Sequence, residues 1–122
     1  TDRSRGLGDV YKRQDWNAIH TGMRMMVENT KEFDGFPIEA AGKTGTAQED
    51  LKRPNHALFV GYAPYDNPEI SIATRIANGY TSHNAAEVSK KILAYYFKVE
   101  DADSLLNGQA ENINATSNGV ND

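Results

Sequence analysis

Between residues 15 and 28, Trp16, Ile19, Met23, Met26 and Val27 fall at offsets of 0, 3, 7, 10 and 11, the spacing of one face of an α-helix. Asp15 is placed to cap its start, and Gly22 costs it some stability. An indole and two thioethers on one stripe read as core rather than as a ligand set. Asn29, Asp34, Gly35 and Pro37 then mark residues 29–37 as a loop. Three strand patterns follow. Glu39 to Gln48 is small and rich in threonine, whereas His56 to Ala63 (HALFVGYA) is apolar on both faces and predicts a central strand. Glu69 to Ala77 alternates, with Ile70, Ile72, Thr74 and Ile76 on one face and Ser71, Ala73, Arg75 and Ala77 on the other. Pro64-Tyr65-Asp66-Asn67-Pro68 separates the last two as a run of turn formers, which predicts an antiparallel hairpin. Ala85, Val88, Ile92, Tyr95 and Tyr96 repeat the first set of offsets and predict a second amphipathic helix, with Asn84 or Ser82 near its N-cap. The order helix-strand-strand-strand-helix, with a sheet that needs covering, predicts an α+β fold in which helices flank an antiparallel sheet.

Composition narrows the function classes. The 122 residues hold 13 Lys and Arg against 17 Asp and Glu, a net charge of −4, with 39% hydrophobic residues, enough for one domain with a core. No apolar run approaches the roughly 18 residues of a membrane span. Basic clusters are lacking too, so nucleic acid is not an expected partner. The absence of cysteine removes disulfides, zinc–thiolate sites and thiol nucleophiles together. His20, His56 and His83 are too scattered along the chain to predict a metal site.

The two ends read differently from the middle. Residues 1–14 show no helical or strand period and no signal-peptide core. The codons GAT GTG TAT AAG AGA CAG would spell Asp9 to Gln14 and match a transposase mosaic-end adapter, so 1–14 is read as an adapter-derived, non-native segment. Residues 15–98 are then the folded part. Residues 99–122, acidic and asparagine-rich with few large apolar groups, read as a disordered tail.

Gly42-Lys43-Thr44-Gly45-Thr46 is the string that demands a chemical account. A phosphate-binding P-loop requires a glycine where Pro37 stands and a helix right after the Lys-Thr pair, and Gly45 interrupts any such helix. A Lys-Thr-Gly strand at the edge of a serine acyl-transferase site fits better. Alternation places Lys43 and Gly45 on one face and Thr44 and Thr46 on the other. Such a strand offers hydroxyls, backbone donors and an ammonium to an anionic peptide end.

More of the chain agrees. WNAIHTGMRMMV, GKTGTAQ, NHALFVGYAP, PEISIATRI and AAEVSKKILAYYF, in that order over Trp16 to Phe97, resemble the C-terminal part of the transpeptidase domain of class B penicillin-binding proteins. The resemblance implies the penicillin-binding protein and β-lactamase type of fold, with a five-stranded antiparallel sheet and the Lys-Thr-Gly strand lining the cleft. It implies peptidoglycan stem peptides ending in D-Ala-D-Ala as substrate, β-lactams as inhibitors, no cofactor, and a location on the extracytoplasmic face of the bacterial membrane. A membrane glycosyltransferase is an implied partner of the complete protein. Residue by residue, it implies Lys43 and the backbone N–H of Thr46 as catalytic groups, the latter in the oxyanion hole. Thr44, Gly45 and Thr46 are implied as substrate-binding positions.

The family also requires a Ser-x-x-Lys nucleophile motif and a Ser-x-Asn motif ahead of Lys-Thr-Gly. Neither Ser4, Ser71, Ser82, Ser89, Ser104 nor Ser117 has a lysine three residues on. Ser82-His83-Asn84 spells the second motif but follows Lys43, and a helix N-cap explains it better. The expectation is therefore a fragment, inactive alone. A non-catalytic cell-wall peptide-binding module and a serine β-lactamase or antibiotic-sensor relative are the alternatives.

Overall fold

The computed structural model describes residues 2–101 and 104–105. Helix α1 (Asp2–Glu28) leads through a 3-10 turn (Lys31–Phe33) to strands β1 (Ala41–Ala47), β2 (His56–Ala63) and β3 (Ile70–Ile76), and helix α2 (Ser82–Tyr96) follows. The α+β class and the element order are those predicted. The start of α1 is not. Helical backbone runs through Asp15 back to Asp2, into the segment that lacks a hydrophobic period. Arg3, Arg5, Leu7, Lys12, Arg13 and Gln14 are adequate helix formers, so a helix nucleated by the periodic part can propagate through them on backbone propensity. Residues 12–22 are all exposed. The predicted tail falls almost wholly outside the described residues.

The stripe on α1 is buried only at its C-terminal end. Val27 is buried and Met23 and Met26 are half-buried, but Trp16 is 58% and Ile19 51% exposed. Trp16 instead begins a row of rings, with Trp16 5.8 Å from His20, His20 5.4 Å from Tyr62, and Tyr62 6.4 Å from Tyr65.

The sheet has strand order β1-β2-β3, both pairs antiparallel, with β2 in the middle as its two-sided apolarity requires. The register sets Gly42 opposite Gly61, Thr44 opposite Phe59 and Thr46 opposite Ala57, and carries Phe59 on to Thr74 and Ala57 on to Ile76. This face holds the core, in which Phe59 stacks on Phe33 at 5.7 Å and packs with Val27, Ala57, Ala63, Ala85, Ala86 and Leu93.

Helix α2 covers that face with small residues. Ala85, Ala86, Ser89, Leu93 and Ala94 are buried, while Val88, Ile92, Tyr95 and Tyr96 of the predicted stripe are 39–62% exposed. Ala85 alone belongs to both sets. Small side chains let the helix backbone approach the sheet closely, and that rotation turns the large residues outward. The N-cap is Thr81, whose hydroxyl accepts from the His83 N–H, rather than Ser82 or Asn84. Asn84 instead donates through its side chain to the Gly79 carbonyl.

A turn at residues 77–81 closes the end of the sheet. Asn78 (φ +52°) and Tyr80 (φ +68°) adopt the left-handed region, and the Tyr80 N–H donates to the Asn55 carbonyl at 3.1 Å. Gly79 between them is buried, and a Cβ there would lie 2.9 Å from that of Ala57.

Candidate active site

Strand β1 is short and built of small residues, and it lies at the margin of the sheet with β2 on one side and no strand on the other among the described residues. Its outer backbone edge is where an extended ligand can add. Lys43 is exposed and donates from Nζ to the Thr44 carbonyl at 2.7 Å. Thr44, Gly45 and Thr46 are half-buried. Pairing Lys43 with Val60 and Gly45 with Leu58, against Thr44 with Phe59 and Thr46 with Ala57, places the two pairs on opposite faces, as alternation requires.

The glycines of GKTGT serve different ends. A Cβ on Gly42 would lie 2.8 Å from both Phe59 Cε2 and the Val60 carbonyl oxygen, so the core itself demands a glycine there. A Cβ on Gly45 would meet only Leu58, at an ordinary 3.6 Å. Packing within the described residues does not account for Gly45.

The entry to β1 is fixed from α1. Arg24 donates through Nη1 to the Ala40 carbonyl at 3.0 Å, three residues before Lys43, while its Nε meets Glu28 at 3.3 Å and its Nη2 meets Glu39 at 3.8 Å. Glu39 is thereby engaged with Arg24, and Arg75 is exposed with no ion pair among the described residues. The exit is fixed by His56, whose Nε2 lies 2.6 Å from Glu49 Oε2 and whose Nδ1 accepts from the Asn78 N–H at 3.0 Å.

The three histidines lie apart, each with its own partner: His20 between Trp16 and Tyr62, His56 on Glu49, and His83 with Nδ1 3.0 Å from Glu32. Ser82-His83-Asn84 occupies the first turn of α2, where His83 is engaged with Glu32 and Asn84 with the Gly79 carbonyl. Arg24, Gly42, Glu49 and His56 are the residues around the strand that sequence reasoning passed over. For Gly42 a signal existed, since two glycines on adjacent strands beside a Phe suggest a ring needing room. Arg24 reaches the Ala40 carbonyl and His56 the Asn78 N–H, partners too distant in sequence for a local pattern to show.

Residues 8–94 match the family model for the penicillin-binding protein transpeptidase domain. The chain belongs to this transpeptidase-domain family. Among curated proteins, the peptidoglycan D,D-transpeptidase MrdA of Acinetobacter baumannii is 42% identical over 99 residues, covering 68% of this chain and 15% of that protein. MrdA of Haemophilus influenzae is 34% identical over 101 residues, covering 66% and 16%. The solved structure of Pseudomonas aeruginosa PBP2 in complex with WCK 5153 superposes with a TM-score of 0.61 at 32% identity, covering 68% of this chain and 20% of that one. The chain thus spans about a sixth of the length of these curated relatives. Within this transpeptidase segment, no helix of the described residues is long and apolar enough to cross a membrane.

Proposed function

We propose that this chain is the C-terminal part of a peptidoglycan D,D-transpeptidase that cross-links stem peptides through an acyl-serine intermediate. In that reaction a serine Oγ attacks the penultimate D-Ala carbonyl carbon and the bond to the terminal D-Ala nitrogen breaks. An amine of a neighbouring stem peptide then displaces the serine. The observation that carries the reading is the placement of Lys43-Thr44-Gly45-Thr46 on a margin strand whose outer edge has no strand partner among the described residues, with the ammonium exposed. Gly45, unneeded by packing, supports it, because a bare position lets a substrate backbone lie close.

In this reading Lys43 supplies positive charge to the substrate carboxylate and to the hydrogen-bond network of the serine, and Thr44 and Thr46 offer hydroxyls to the same carboxylate. The Thr46 N–H serves as one oxyanion donor, a role whose loss costs about 3 kcal/mol of transition-state stabilisation. The nucleophile is not spelled in these 122 residues, so we assign the Ser-x-x-Lys and Ser-x-Asn motifs, and a membrane anchor, to parts of the complete protein outside this sequence. The complete protein then acts on the extracytoplasmic face of the membrane, is inhibited by β-lactams, and works beside a membrane glycosyltransferase that supplies the glycan strand.

The test is acylation of the complete protein by fluorescent penicillin. Lys43→Ala should slow it on the order of a hundredfold with an unchanged thermal midpoint, since an exposed lysine contributes little packing. Equal rates for variant and parent would remove the motif from the chemistry. A complete protein without Ser-x-x-Lys that holds stem peptide yet never acylates would establish a binding module instead.

A further inference from the structure

The loop that leaves the KTGT strand is closed at its neck by a pair of side chains, Glu49 and His56. Asp50 organises the loop locally, its carboxylate accepting from the Lys52 N–H at 2.9 Å and its carbonyl from the Arg53 N–H at 3.3 Å. Glu49 and His56 bracket that turn and meet across its base at 2.6 Å. Glu49 is exposed (76% of its side chain) while His56 is buried (10%), so the imidazole is the fixed member and the carboxylate comes to it. The other ring nitrogen reaches into the turn after β3.

The hydrogen positions follow from the partners. A backbone N–H only donates, so Nδ1, which receives the Asn78 N–H, must hold a lone pair. A neutral imidazole carries one N–H, which must then sit on Nε2 and point at Glu49. An imidazolium would set a second N–H against the Asn78 N–H. The left-handed backbone at Asn78 and Tyr80 costs on the order of 1 kcal/mol or more and has to be held by its surroundings. Asn55 holds it through its carbonyl, and His56, the next residue, through its ring. One imidazole therefore joins the β1 exit, the start of β2 and the strained turn beyond β3.

We propose that His56, as a neutral imidazole protonated on Nε2, is a positioning residue that anchors the exit of the KTGT strand through Glu49, three residues beyond Thr46, and so sets the height of the substrate-facing edge. This rests on the transpeptidase reading above. On its inner side β1 is secured by β2, and its two ends are held by Arg24 at the entry and by the Glu49–His56 pair at the exit.

The test uses the complete protein and fluorescent penicillin. Glu49→Ala removes an exposed side chain, so the thermal midpoint should stay at the parent value while the acylation rate falls about tenfold through displacement of the edge. Glu49→Gln, whose amide oxygen still accepts from Nε2–H, should restore the rate to within about twofold. Nitrogen-15 NMR of His56 should show Nδ1 as a lone-pair nitrogen and Nε2 as a protonated one. Acylation of Glu49→Ala at the parent rate, or a His56 spectrum with Nδ1 protonated, overturns the proposal. A parent protein that never acylates fails the transpeptidase reading instead, and the His56 tautomer still decides whether the anchor exists.

Discussion

The ring of Phe59 lies across Gly42 and Gly61, which face each other on β1 and β2, so the strand bearing Lys43 and the hydrophobic core share one packing contact. A Cβ at Gly42 would overlap the ring at Cζ, and one at Gly61 would sit 2.8 Å from its Cε1 on the other strand. Gly42→Ala is therefore expected to destabilise the complete protein by about 1–3 kcal/mol, the range for forcing extra volume into a filled core. Gly45→Ala, with its nearest neighbour at 3.6 Å, should leave stability within about 1 kcal/mol and instead slow acylation. Denaturant unfolding of both variants separates the two roles. Equal losses of stability would show that neither glycine is reserved for a ligand.

Ser89 is fully buried on α2 and lies 2.7 Å from both Thr74 Oγ1 on β3 and the Ala85 carbonyl oxygen. One hydroxyl donates one hydrogen, so Ser89 donates to Ala85 and accepts from Thr74. Ser89→Ala leaves the Thr74 hydroxyl without its acceptor, with an expected loss of about 1–3 kcal/mol. The double change Ser89→Ala with Thr74→Val removes both polar groups and should recover most of it. A double-mutant cycle without coupling would refute the pairing.

Tyr62 has its hydroxyl oxygen buried with no hydrogen-bond partner among the described residues. Burial pushes its phenol above the ordinary value, and the neighbouring Tyr65 adds to the rise. The raised folded-state value means that its contribution to stability is complete below pH of about 10, where the unfolded phenol titrates, and is lost as pH climbs through the folded value. Tyr62→Phe should therefore leave stability at neutral pH unchanged or raise it by up to about 1 kcal/mol, and should flatten the fall above pH of about 10. Unfolding curves at pH 8 and pH 11 measure both. A large loss at pH 8 would mean that the hydroxyl has an acceptor.

How far the fold could be read in advance depended on what each element packs against. Strand β2 is bounded as predicted, at His56 and Ala63, because an apolar run between Asn55 and Pro64 needs no tertiary context. The buried face of α2 was misread because Val88, Ile92, Tyr95 and Tyr96 outweigh alanine and serine in any hydrophobic pattern, whereas close approach to a sheet selects the small residues. Lys43 to Thr46 was legible as a string. Its anchors were not, because Arg24 reaches a carbonyl 16 residues away and His56 an amide 22 residues away.

Strand β3 pairs with β2 alone, and its outer edge and half-buried isoleucines have no strand partner among the described residues. With Val88, Ile92 and Tyr95 exposed as well, the 122-residue chain expressed by itself should associate through that edge or remain molten. It should also form no covalent adduct with fluorescent penicillin. Sedimentation and gel labelling check both, and a monomer with a sharp thermal transition would contradict the first expectation.

Because strand order in the sheet equals strand order in the chain, every pairing closes between sequence neighbours, across residues 48–55 and residues 64–69. Closing such short loops costs little entropy, and sheets built from local pairings cross their folding barrier faster than sheets woven from distant segments. The two hairpins can therefore zip up in succession, with the edge that carries Lys43 in register as soon as β2 is laid down. The slow step is then the docking of the helices, and kinetics should show the hairpins protected from hydrogen exchange before α2 is.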